Sequence, residues 1–261
     1  NTASGTANMG IETTYIGMVG DDELGDFYIQ DMQQNNISTC IFRNSDMQTG
    51  LALALVSPDG ERTFATNLGA AITLSADNIG QSLFEGCEYL HIEGYLISNH
   101  DLFEKIITCG RQAGCKISID LASYNVVEEN LDYLKRVCKG VHIIFANEEE
   151  AKAFSGKEAE EALEYIAQYA DIAVVKVGAK GSLISSQGKV VKVGETLRNK
   201  IDTTGAGDLY AGGFLAGLCM DKDLSICGKM GSVWAGNVIE VMGTKMDCER
   251  WNKIKTEIAS L

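Results

Sequence analysis

Residues 202–208 read Asp-Thr-Thr-Gly-Ala-Gly-Asp and run straight into the apolar stretch Leu209–Leu218. A small-residue turn feeding a helix start presents backbone N–H groups that have no helical carbonyl to bond. The partial positive charge of the helix N-terminus adds to them, so such a turn is an anion site. Asp208 puts a carboxylate into it. A carboxylate repels phosphate, and the chemistry that accounts for its presence is proton abstraction from a hydroxyl attacking that phosphate. The plain alternative is an N-cap followed by a glycine turn. That would suffice for an isolated G-x-G, but it leaves the rest of the string at this strand-to-helix junction unexplained.

The string resembles the C-terminal signature of the ribokinase-like (PfkB) family of ATP-dependent carbohydrate and nucleoside kinases, which share Asp-Thr-x-Gly-Ala-Gly-Asp. The resemblance implies that Asp208 is the base and that the Gly205, Ala206 and Gly207 amides form the anion hole for the transferring phosphoryl group. Asn147-Glu-Glu-Glu150 follows an apolar strand, where ligand groups of open α/β sheets collect. It matches the family's Asn-x-x-Glu motif, which implies a Mg²⁺ site held through water by Asn147 and Glu150. On its own the segment reads equally well as a capping box.

Val174-Val-Lys-Val-Gly-Ala-Lys-Gly181 resembles the family's nucleotide-lining turn, with Lys176, Gly178 and Gly181 at motif positions. Thr203 is placed with them, and Asn237, in the small-residue helix that follows, as a polar contact to adenine. The charge on Lys176 is equally compatible with simple solvation. Asp202, Thr204 and Gly243 fall where many family members hold a monovalent cation, although the chain has Gly243-Thr244 in place of Gly-Ala. Asp120-Leu-Ala-Ser-Tyr-Asn125 keeps the Asp of the sugar kinases' Asp-Pro-Asn-x-Arg but lacks the Pro and the Arg. That departure tilts the resemblance towards the adenosine kinase-like branch. Asn1 corresponds to the Asn of a Gly-Gly-x-x-x-Asn motif and is assigned, with Asp120, to the substrate. Because the glycines and a preceding strand are not in the sequence, an N-terminal segment is expected to be missing.

The elements that must position these groups are legible from residue 86 onward. Apolar runs at Tyr89–Ile92, Lys116–Ile119, His142–Ala146 and Ile172–Val177 alternate with helical-period stretches at Asp101–Ala113, Glu128–Cys138, Glu148–Phe154 and Glu158–Tyr169. That rhythm predicts βαβ units and a parallel sheet covered on both faces. A hairpin is expected at Ser182–Ser186 and Lys189–Val193, then helices over 209–218, 223–241 and Glu249–Leu261. The segment 37–67 departs from the rhythm, with alternating runs flanking Pro58-Asp-Gly60 that predict an antiparallel hairpin. The resemblance makes it a β lid over the substrate, and the plain alternative is an edge hairpin. The expected fold is therefore a ribokinase-like three-layer α/β/α sandwich with a mostly parallel central sheet. Residues 1–36 and 68–261 form its core, and 37–67 its lid.

Composition bounds the partners. The chain has 261 residues, 45% hydrophobic and 22% charged, with a formal net charge of −14. An acidic surface argues against nucleic acid, but not against ATP, whose phosphates are neutralised locally. No apolar run reaches the 18 or so residues a membrane span needs. The eight cysteines include no C-x-x-C pair, which points to a reduced, cytoplasmic setting. No Walker A motif and no dinucleotide fingerprint is present. The expectation is an ATP- and Mg²⁺-dependent kinase, with K⁺ as a further ion, acting on a hydroxymethyl group of a sugar or nucleoside as a monomer or homodimer. A non-catalytic binder on the same fold is the alternative.

Overall fold

Two neighbouring strands are apolar almost throughout, and their side chains divide between two cores. Ile143, Phe145, Ile172 and Val174 enter one, whereas Ile144, Ala146, Ala173 and Val175 enter the other. Successive strand residues point to opposite faces, so such strands need cover on both sides. The computed structural model describes residues 1–56, 62–194 and 198–261. In chain order its elements are α1 (Thr2–Asn8), β1 (Thr13–Gly20), α2 (Glu23–Gln34), β2 (Ile37–Asn44), β3 (Leu51–Val56), β4 (Arg62–Asn67), β5 (Tyr89–Glu93) and α3 (His100–Gln112). Then come β6 (Lys116–Asp120), α4 (Tyr124–Glu129), α5 (Leu131–Val137), β7 (Val141–Asn147), α6 (Glu148–Ser155), α7 (Ala159–Ile166) and β8 (Ala170–Lys176). The chain finishes with β9 (Ser182–Ser186), β10 (Lys189–Val193), α8 (Ala206–Cys219), α9 (Leu224–Val238) and α10 (Cys248–Ala259).

The central sheet has the order β10-β9-β8-β7-β6-β5, with β5 to β8 parallel and the β9–β10 hairpin antiparallel at one edge. Helices α3 to α7 cover one face through Leu102, Phe103, Val127, Leu134, Phe154 and Leu163. α8 and α9 cover the other, where Phe214 meets Phe145 edge-on at 5.3 Å. α10 packs on α9, with Trp251 edge-on to Trp234 at 5.5 Å between centroids. The expected three-layer sandwich is what the chain forms. Among the described residues no helix is long and apolar enough to cross a membrane.

Two expectations are refined. The single helix expected over Glu128–Cys138 is two, α4 and α5, broken at Asn130, whose side-chain amide donates to the Val126 carbonyl at 3.0 Å. An Asn that bonds its own backbone competes with helix continuation. In the N-terminal part, β2 lies inside the segment expected as a lid, yet it pairs in parallel with β1 across α2. Only β3 and β4 make the separate antiparallel hairpin, and its expected turn at Pro58-Asp-Gly60 lies outside the described residues. The base of that hairpin is anchored by Asp22, which caps α2 through the Gly25 amide and also accepts the Thr49 amide at 2.8 Å and the Thr49 hydroxyl at 2.6 Å.

Gly181 shows how tightly the sheet edge is folded. Its φ is +97°, and a Cβ there would lie 2.0 Å from the Val193 carbonyl oxygen of β10. The glycine is thus demanded by the β8–β9 connection itself, whatever it does for a ligand. Gly181→Ala is expected to cost about 2–4 kcal/mol, from left-handed strain plus a clash with backbone that cannot yield. Urea unfolding checks it, and an unchanged midpoint would show that the hairpin can give way.

Candidate active site

Four parallel strands end at one edge of the sheet, and their register decides which side chains meet there. Glu93 of β5 pairs with Asp120 of β6, and Asn147 of β7 with Lys176 of β8. Lys176 reaches across β7 to Asp120, with 2.7 Å between Nζ and Oδ2. The other carboxylate oxygen of Asp120 accepts the Ala122 amide at 3.0 Å, in a turn that holds Ala122 at φ +65°. Both side chains of the pair are largely buried, at 13% exposure for Lys176 and 10% for Asp120. Burial works against the Lys176 charge, but Asp120, Glu150 and Asp208 outweigh it and hold the ammonium above its usual range.

Asn147 and Glu150 form a complete capping box at the start of α6. The Asn147 side chain accepts the Glu150 amide at 2.8 Å, and Glu150 accepts the Asn147 amide at 2.8 Å and its side-chain amide at 2.7 Å. Glu150 is 3% exposed. Burial, then the charge of Asp120, push its carboxyl up to about 7 against the pull of Lys176. Among the described residues no group of three or more His, Cys, Asp or Glu is arranged to grip a metal directly. The Asn147 and Glu150 oxygens are compatible with holding a cation through water.

Facing this edge is the first turn of α8. Gly205 is its N-cap at φ +74°, and a Cβ there would meet Thr244 Cγ2 at 2.8 Å. Asp208 lies in that turn, and its Oδ2 accepts the side-chain amide of Asn1 at 2.6 Å. Asn1 occupies the N-cap position of α1, where its side chain makes no capping bond, and its bond to Asp208 instead ties α1 to α8. Of the expected anion-hole amides, that of Ala206 donates to the Thr203 carbonyl over a long 3.3 Å, a bond that a better acceptor would displace. The Gly207 amide points out of the first turn, where no helical carbonyl can reach it. A Cβ on Gly207 would lie 3.2 Å from Lys176 Nζ, so the ammonium sits directly against this turn.

The structure therefore brings together Asn1, Asp120, Asn147, Glu150, Lys176, Gly205, Ala206, Gly207 and Asp208. Asp202, Thr204 and Gly243 converge separately. Asp202 accepts the Thr204 amide and hydroxyl at 2.9 and 2.6 Å and the Gly243 amide at 2.9 Å. Gly178, at φ +58°, opens the short turn after β8 with free space where a Cβ would go. Asn237 is corrected to a core position. It is fully buried in α9, its side-chain amide bonds the Val233 carbonyl at 2.8 Å, and it presents no surface to a nucleotide.

Two residues of the site escaped the sequence reading. Glu93 ends β5 as Asp120 ends β6, so the strand-end rule that found Asp120 would have found it too. Its carboxylate accepts the Thr2 hydroxyl at 3.3 Å. Burial opposes its ionisation, but His91 and neighbouring positive charges including Lys176 prevail and hold it below the usual range. Tyr95, just beyond, is 62% exposed and feels the charges of Glu150, Asp208 and Asp120. No periodicity marks it.

The raised Glu150 carboxyl has a stability consequence. Its folded-state value lies above the ordinary value near 4.3, so the folded protein binds the proton more tightly and loses stability as pH rises from about 4.5 to about 7. Glu150→Gln should therefore gain on the order of 2 kcal/mol relative to the parent protein between pH 5 and pH 8. Urea unfolding without divalent ions measures this, and an equal difference at both pH values would show that Glu150 ionises normally.

The pfkB family carbohydrate kinase model matches residues 1–251. An uncharacterised sugar kinase of Archaeoglobus fulgidus is 27% identical over 246 residues, 92% of this chain and 96% of that protein. Among solved structures, the adenosine kinase of Sinorhizobium meliloti superposes with a TM-score of 0.88 at 29% identity, covering 98% of this chain and 81% of that one. A putative ribokinase II of E. coli, solved in complex with ATP and Mg²⁺, superposes with a TM-score of 0.88 at 23% identity, covering 100% and 87%.

Proposed function

The chain belongs to the pfkB family of carbohydrate kinases, a sugar or nucleoside kinase, and on that premise we propose that it transfers the γ-phosphoryl group of ATP to a hydroxymethyl group. The observation that carries this is Asp208 in the first turn of α8, its Oδ2 oriented by Asn1. The acceptor hydroxyl gives its proton to Asp208. Its oxygen bonds the γ-phosphorus as the bond to the β–γ bridging oxygen breaks, and ADP leaves with the electron pair. The Gly205, Ala206 and Gly207 amides, backed by the helix N-terminus, take up charge on the moving group. Asn147 and Glu150 would hold Mg²⁺ through water, and that ion would supply neutralisation of the polyphosphate. Gly178, Gly181 and Thr203 line the nucleotide, and Asn1 and Asp120 stand on the acceptor side. K⁺ is assigned to the cluster of Asp202, Thr204 and Gly243, and the β3–β4 hairpin to a lid.

Adenosine is the acceptor favoured by the segment Asp120–Asn125, which supplies no Arg to a sugar. The exposed ring of Tyr95 beside it offers a face to a base. Adenosine kinase of Sinorhizobium meliloti among the structural neighbours agrees with that choice.

Asp208→Asn is expected to lower kcat by about 10³-fold, within the range for a positioned general base. Its MgATP affinity should stay within about threefold of the parent. Phosphate transfer to adenosine, ribose and fructose is the assay. Parental kcat in the variant would remove Asp208 from the chemistry, and turnover of a sugar without adenosine would reverse the acceptor choice.

A further inference from the structure

Lys176 is a buried cation with a crowded surrounding. Its ammonium contacts Asp120 at 2.7 Å and lies among the charges of Glu150 and Asp208. It also sits against Gly207, 3.2 Å from where a Cβ would stand. A buried charge is retained only where partners offset its desolvation, and here the partners come from two sides of the site. Asp120 is on the strand-end side, and Gly207 and Asp208 are on the phosphoryl side. The turn after β8 was expected to put Lys176 on the nucleotide. Yet its Nζ is already occupied by Asp120, and its side chain is 13% exposed, so it has little to offer a solvated polyphosphate.

We propose that Lys176 is a positioning residue of the catalytic turn, holding Gly207 and Asp208 against the end of the sheet and offsetting part of the carboxylate charge at the phosphoryl site, and that it does not bind the nucleotide. Three carboxylates, those of Asp120, Glu150 and Asp208, converge where a γ-phosphoryl group would have to arrive. Without a cation among them the turn would repel that group just as its charge develops. Because Lys176 acts through the turn, its removal lowers kcat and leaves ground-state nucleotide affinity in place. The proposal rests on the kinase reading above.

Lys176→Met alone strands the Asp120 carboxylate and destabilises the fold, so the decisive comparison is made in an Asp120→Asn background, where the ion pair is already gone. There, Lys176→Met should lower kcat by about 100-fold relative to Asp120→Asn alone, the scale of losing one electrostatic stabiliser. The melting temperature should not fall below that of Asp120→Asn, since the stranded charge is removed, and the Kd of MgADP, measured by calorimetry, should stay within about threefold. Equal kcat in the two variants would make Lys176 merely the counter-ion of Asp120 and overturn the proposal. A loss of MgADP affinity would return Lys176 to the nucleotide and overturn it as well, and that arm can be read whether or not any acceptor is turned over. A parent protein that binds MgADP but phosphorylates nothing would count against the kinase reading, separately from Lys176. A double variant that fails to fold is replaced by Lys176→Gln in the same background, with the same expected outcomes.

Discussion

The contact on which the site depends is the ion pair between Lys176 and Asp120. The two residues end strands β8 and β6 and meet over β7. That reach is available only if the three strands are parallel, adjacent and in register, with Asp120 opposite Phe145 and Lys176 opposite Asn147. A one-residue slip of β8 would turn Lys176 to the opposite face of the sheet. The remaining charge would then be buried without a partner, a loss of several kcal/mol and among the costliest changes a core can undergo. The pair adds little net stability over an apolar substitute, but it penalises wrong registers heavily. It therefore specifies the edge at which the chemistry is assembled.

The second half of the site is built from backbone. Gly205 takes a left-handed conformation that most residues resist, because its Cβ position is filled by Thr244. That bend starts α8 with its first amides held by no more than the long bond from Ala206 to the Thr203 carbonyl, and it places Asp208 in the first turn. Asn1 then fixes the carboxylate from α1. Two elements far apart in sequence thus share one hydrogen bond at the proposed base, and the aromatic contact of Trp234 with Trp251 steadies α9 behind them.

Much of this was legible in the sequence. The β–α rhythm after residue 86 gave strands that match β5 to β10 to within a residue or two, because period and turn chemistry agree there. The heptapeptide 202–208 and the Asn147–Glu150 pair were found for the same reason, each combining a local motif with a strand end. What was not legible depends on long-range placement. β1, whose two glycines weaken its strand signal, was recognised only through its parallel pairing with β2. Lys176 reads from the sequence as nucleotide-lining or solvated, and its pairing with Asp120 at 2.7 Å is visible only in the fold. Asn237 reads as a polar contact to adenine because nothing in a small-residue helix says which of its groups face the core. The Asn147–Glu150 segment proved to be a complete capping box, and that does not compete with a role in water-mediated metal binding. The cap fixes the carboxylate, and a fixed carboxylate is what such a site requires.

A chain with a net charge of −14 seems a poor host for a polyphosphate. Net charge, however, governs the far field, which salt screens within about 8–10 Å, whereas a buried site feels mainly the groups that line it. Three carboxylates converge on one ammonium and on the exposed amides of a helix start. Burial first, and the Asp120 charge second, raise the Glu150 carboxyl, so a further negative charge at this spot is resisted. Three carboxylates against one ammonium leave these side chains net negative, and the partial positive charge of the helix start offsets only part of that. A polyanion that arrives together with its own divalent cation adds little net charge, while a bare polyanion would meet repulsion. On the kinase reading, the arrangement of Asp120, Glu150, Lys176 and Asp208 would therefore suit a metal–nucleotide complex better than a free nucleotide.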